Sequence, residues 1–71
     1  MMKNVQVEVL RKEIKKVQKL VDKNGAECQR VALETVEGTR GAEYKVRVAI
    51  WEKYYTMVEE LTAMADYLES K

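Results

Sequence analysis

Two groups of side chains in this sequence have the type and spacing to act on a ligand. Lys12, Lys16, Lys19 and Lys23 recur at intervals of four, three and four residues, with Arg11 and Lys15 beside them. On a helix those intervals stack side chains along one face, and a strip of ammonium groups can track the phosphates of RNA or DNA. The second group is Tyr44, Trp51, Tyr54 and Tyr55, interleaved with Arg47 and Lys53 and flanked by Arg40 and Lys45. Rings mixed with cations suit a small anionic ligand such as a nucleotide, through stacking plus charge. They equally suit a protein partner, because Trp, Tyr and Arg dominate binding hot spots.

Each group also has a plainer explanation. A charged stripe is commonly just a solvated helix face, and aromatic residues at helical spacing are commonly core. Charge distribution strengthens the plainer view of the lysines. Residues 1–23 hold seven basic and three acidic groups, while residues 49–71 hold two basic and five acidic. An antiparallel hairpin would lay the first segment beside the second. The sequence pI of 7.8 also lacks the strong basicity usual in nucleic-acid binders.

Catalytic chemistry has little to work with. There is no His, and therefore no common general base or imidazole metal ligand. Glu59, Glu60, Asp66 and Glu69 supply carboxylates, but no Glu-x-x-His motif accompanies them and no glycine-rich phosphate loop is present. A single cysteine, Cys28, excludes an internal disulfide and a Cys-based zinc site within one chain. It reads as a small buried hydrophobe. The expectation is no enzyme, no cofactor and no metal.

The elements that must carry these residues are legible from periodicity. Val7, Leu10, Ile14, Val17, Val21, Asn24, Cys28 and Val31 follow a 3-4 rhythm for more than three heptads, the pattern of a helix with one apolar seam. Asn24 is its only polar member, and such a residue either fixes the register of a packed seam or marks a fraying point. Asn24-Gly25 is itself a turn signal, yet the seam keeps its phase across it, so one helix near 4–36 is expected. The alternative is a break there, giving three helices. Glu37-Gly38-Thr39-Arg40-Gly41 is the connection, with Gly38 suited to a left-handed C-cap and Thr39 or Gly41 to the next N-cap.

A second helix near 42–70 carries Ile50, Tyr54, Met57, Leu61, Met64 and Leu68 in an unbroken 4-3 rhythm. A further stripe of Tyr44, Val48, Trp51, Tyr55, Val58 and Ala65 runs beside it. Tyr44-Val46-Val48-Ile50 also alternates like a strand, a weaker alternative given the helix formers around it. Two stripes are wider than one partner helix would cover. The fold expected is all-α: a long antiparallel helical hairpin forming one domain over 1–71, dimerising into a four-helix bundle.

Composition sets the remaining bounds. With 46% hydrophobic and 35% charged residues, the chain is too apolar for a disordered tail and too charged for a membrane span. Its longest apolar run, Val48-Ala49-Ile50-Trp51, is far short of the ~20 residues a span needs. Met1-Met2-Lys3-Asn4 leads into a charged segment unlike a signal peptide, so a cytoplasmic location is expected. At this size one core rarely supplies more than about 3–5 kcal/mol, which again favours self-association. The function expected is a non-enzymatic interaction module (an adaptor, regulator or inhibitor, of the kind found among phage and mobile-element accessory proteins) docking onto a macromolecular partner. RNA or DNA binding by the lysine stripe and sequestration of a small anion by the aromatic cluster are the alternatives.

Overall fold

The computed structural model describes residues 2–70, with side chains from residue 5 onward. Residue 1 and the side chains of residues 2–4, on which the reading of the chain's start rests, lie outside that range. Helix α1 spans Met2–Glu34 and helix α2 spans Ala42–Glu69, joined by a short 3-10 turn at Gly38–Arg40. The helices pack against each other along their lengths in a rod of 54 × 15 × 12 Å. Among the described residues there is no strand, so the alternation at 44–50 is carried by helix.

Helix α1 is continuous through Asn24-Gly25, and the alternative of a third helix starting there does not occur. Two contacts suppress the turn signal. The Asn24 side-chain amide donates to the Leu20 carbonyl at 2.7 Å, one turn back within the same helix. Gly25 lies against α2, where an added Cβ would sit 3.3 Å from Nε1 of Trp51 and 3.5 Å from its Cδ1. Glycine is thus present because the indole needs the room, and packing outweighs the local preference for a turn.

The first helix stops at Glu34, two residues short of the boundary expected near 36. Thr35 bends its hydroxyl back to the Val31 carbonyl at 2.8 Å, and the Gly38 N–H bonds to that same hydroxyl at 3.1 Å. Gly38 then turns the chain at φ 56°, the left-handed conformation expected of it. Gly41 is the N-cap of α2, with extended backbone and no side-chain cap; Thr39 lies in the 3-10 turn instead. A Cβ at Gly41 would come within 2.8 Å of Glu37 Cβ, so this second glycine is also required by crowding.

The seam of α1 faces α2 as its spacing requires, but it is thin. Among the described residues only Val17, Val21, Cys28 and Val31 of α1 and Ala65 of α2 are buried. Ala65 has no accessible surface and lets the helices approach closely. Toward the open end the seam is only half-covered, at Val7, Leu10 and Ile14 of α1 and at Leu61 and Leu68 of α2. The open end of the hairpin is tied by Arg11, whose guanidinium donates to Asp66 at 3.0 Å and to Glu69 at 2.7 Å.

The Gly25–Trp51 contact makes a quantitative expectation. Gly→Ala inside a helix ordinarily gains about 1 kcal/mol, but here the methyl would sit 3.3 Å from the indole nitrogen, tight enough that the ring must give way slightly. Gly25→Ala in the natural background should fall well short of that gain. In a Trp51→Leu background it should recover the full amount. Thermal denaturation of the four members of this cycle measures the coupling, and equal shifts in both backgrounds would contradict the contact.

Candidate functional site

The aromatic residues divide between two sides of the hairpin. Trp51 and Tyr55, one turn apart on α2, stack with ring centroids 5.2 Å apart and planes 28° from parallel. Such offset pairs are favourable beyond their buried area. The stack stands between two open troughs. One, of about 620 Å³, is lined by Val21, Asp22, Gly25 and Cys28 of α1 with Tyr44 and Trp51 of α2. The next, of about 470 Å³, lies among Gln18, Tyr55, Val58, Glu59 and Thr62. Trp51 is half-buried against Gly25, whereas Tyr55 remains 46% exposed.

Tyr54 and its cation go elsewhere. The Lys53 ammonium lies 5.8 Å from the centre of the Tyr54 ring, a cation–π arrangement. Arg47 is half-buried and faces α1, where its positive charge helps hold the Glu27 carboxyl below its ordinary value. The main cause of that depression is hydrogen bonding from Arg30, whose guanidinium donates to Glu27 at 2.8 Å and to Glu34 at 2.9 Å. Arg47 lies on the seam face of α2, where a cation needs a partner, and Glu27 of α1 supplies part of the counter-charge. Of the six residues singled out on α2, the structure therefore joins Tyr44, Trp51 and Tyr55 along one side. Arg47, Lys53 and Tyr54 do not converge with them on one point.

The lysine stripe is brought together as its spacing requires. Lys12, Lys15, Lys16, Lys19 and Lys23 are all exposed on the side of α1 away from the seam. Among the described residues only Lys12 in this group forms an ion pair, with Glu8 at 3.5 Å. The acidic end of α2 is engaged by Arg11 instead. Arg11 thus leaves the stripe and becomes a bridge between the helices, with its pKa raised by hydrogen bonds to Glu69 and Asp66.

Cys28 is a free thiol buried at the floor of the larger trough. Among the described residues no three Cys, Asp or Glu side chains gather closely enough to hold a metal ion. No described helix is long and apolar enough to cross a membrane. What periodicity did not reveal is the trough itself. Its signal was Gly25, which can be recognised as a packing glycine only once Trp51 is known to lie opposite. Comparison with protein-family models, with curated proteins and with solved structures returns no match for this chain.

The Arg30–Glu27 pair gives an expected pH dependence. A carboxyl whose folded pKa is depressed contributes stability above its ordinary value, here near 4.5. That contribution is lost as pH falls through the lowered folded value. The melting temperature should therefore decline on the acid side of pH 4.5, and Glu27→Gln should make the decline shallower. Circular dichroism melts from pH 7 to pH 3 check this, and superimposable acid limbs for the two proteins would contradict it.

Proposed function

We propose that this protein is a non-enzymatic helical interaction module that docks onto a protein partner through the side of the hairpin bearing Tyr44, Trp51 and Tyr55. One observation carries the reading: a stacked Trp–Tyr pair, half in and half out of solvent, set between two open troughs. Large rings held rigid by stacking lose little entropy on binding, and they are the residue types that dominate interface energetics. The troughs are shallow channels along the helix pair rather than enclosed cavities, which favours side chains of a partner helix or extended segment over an engulfed small molecule. Asp22 and Glu59 at their rims suit a partner carrying basic groups beside its apolar anchors. Such a module would act as an adaptor, regulator or inhibitor by occupying a surface, with no chemistry of its own.

A specific observation favours a second reading for the opposite surface of α1. Lys15, Lys16, Lys19 and Lys23 are exposed without an ion-pair partner among the described residues. An unneutralised strip of that kind supports RNA or DNA binding by phosphate contacts.

Parallel affinity capture from host-cell extract separates these readings. Wild-type protein, Tyr55→Ala and Lys16→Gln/Lys19→Gln/Lys23→Gln serve as baits, with quantitative mass spectrometry and nucleic-acid staining as readouts. The docking reading expects a protein whose recovery falls with Tyr55→Ala, roughly tenfold or more in affinity for a hot-spot tyrosine, while helicity is kept. It fails if every captured protein binds Tyr55→Ala as well as wild type. Nucleic acid lost with the lysine variant, and falling steeply with salt, would establish the second reading.

A further inference from the structure

Asn24-Gly25 is the only Asn-Gly pair in the sequence, and its chemistry is used by neither the docking side nor the lysine face. An asparagine followed by glycine can be modified by its own backbone. The glycine nitrogen adds to the asparagine side-chain carbonyl carbon, and the new C–N bond closes a five-membered succinimide. The N–H proton passes to solvent base, and the side-chain nitrogen leaves as ammonia. Water then opens the ring at one carbonyl or the other, leaving aspartate or isoaspartate. Solvent is the only co-reactant, and nothing is oxidised or reduced. Glycine favours the attack because no Cβ crowds its nitrogen.

The structure holds these atoms in check in three ways. Helix α1 runs unbroken through the pair, so the Gly25 N–H is committed to the Val21 carbonyl four residues back. A nitrogen held in that way cannot give up its proton to solvent base until the helix opens there. The Asn24 side-chain amide donates to the Leu20 carbonyl at 2.7 Å, which draws it back along the helix, away from the residue that must attack it. Trp51 closes the other side, with Nε1 of the indole 3.3 Å from where a Cβ on Gly25 would sit. All three restraints are lost together when α1 opens around residues 20–25, and local opening of this kind is ordinary in folded proteins.

The product cannot restore what was lost. A carboxylate has no donor for the Leu20 carbonyl, and it brings a negative charge to a seam position between Val21 and Cys28, both buried. Isoaspartate in addition inserts a methylene into the main chain, which breaks the 3-4 phase that carries α1 across this point.

We propose that Asn24-Gly25 is a latent self-modification site. It is inert while α1 is closed against Trp51, deamidates when the helix opens there, and then prevents the hairpin from closing as before. The device is one-way, and it depends on neither binding reading.

Incubation at mildly alkaline pH tests it, with intact-mass spectrometry and peptide mapping reading the reaction as a gain of one mass unit at Asn24. Wild-type protein in buffer, wild-type protein in guanidinium chloride and Trp51→Ala in buffer are compared. Asn24→Gln, whose longer side chain closes the corresponding ring poorly, is the control. The denatured wild type should react faster than the folded protein by roughly tenfold or more, because the folded chain reacts only through a minor open population. Trp51→Ala should react severalfold faster than folded wild type, whether it is loosened or unfolded. Deamidated protein purified from the denatured sample and refolded should melt below wild type, while Asn24→Gln taken through the same cycle should recover its own starting melting temperature. Folded wild type reacting as fast as denatured overturns the proposal. So does Trp51→Ala reacting at the wild-type rate, and so does a deamidated protein that melts as wild type does.

Discussion

Everything in this structure depends on a seam one side chain wide. Val17, Val21, Cys28 and Val31 of α1 and Ala65 of α2, nearer the open end, make up that seam, and no other side chain among the described residues is buried. Valine and alanine at these positions draw the helices close, but they remove little apolar area from water compared with Leu or Phe. A hairpin built this way has the length of a stable bundle and the core of half of one. The ion pairs of Arg11 with Asp66 and Glu69 set register at the open end; exposed as they are, they align the helices more than they hold them.

That constraint explains the composition of the flanks. If the seam is thin, residues on either side are half-buried by necessity, and they must be tolerable in water or destined for cover. On one flank the solution is amphipathic rings, Tyr44, Trp51 and Tyr55, with polar neighbours at Gln18, Asp22 and Glu59. On the other it is plain apolar side chains, Leu20, Met57 and Met64, which gain nothing from solvent. The two flanks therefore differ in kind, and they support different roles for the two sides. Gly25 belongs to the same logic: it gives the single indole of the chain a place to lean without widening the seam.

The two-helix architecture was readable because both 3-4 rhythms run unbroken for many turns, and because glycines at 38 and 41 lie where the rhythms stop. Val7 through Val31 turned inward as their spacing demands. Boundaries were less legible, since the end of α1 is set by the Thr35 hydroxyl bonding to Val31 and Gly38, which no periodicity reports. The site was half-legible. Spacing identified the aromatic row on α2, but 44, 51 and 55 part from 47, 53 and 54 only when the position of α1 is fixed. Arg47 could not be paired in advance, because Glu27 lies twenty residues away in sequence and meets it only through the hairpin register.

We propose that the seam alone does not complete the fold and that self-association, expected for so small a core, supplies the rest. The melting temperature as a function of protein concentration tests it most directly. Between 2 and 200 µM, a hundredfold change contributes about 2.7 kcal/mol to a dimer, shared by two chains. For a domain of this size that corresponds to a rise of roughly 5–10 °C. A melting temperature that climbs by that amount is what the account predicts. A constant melting temperature across the range, for a chain that is fully helical throughout, would contradict it.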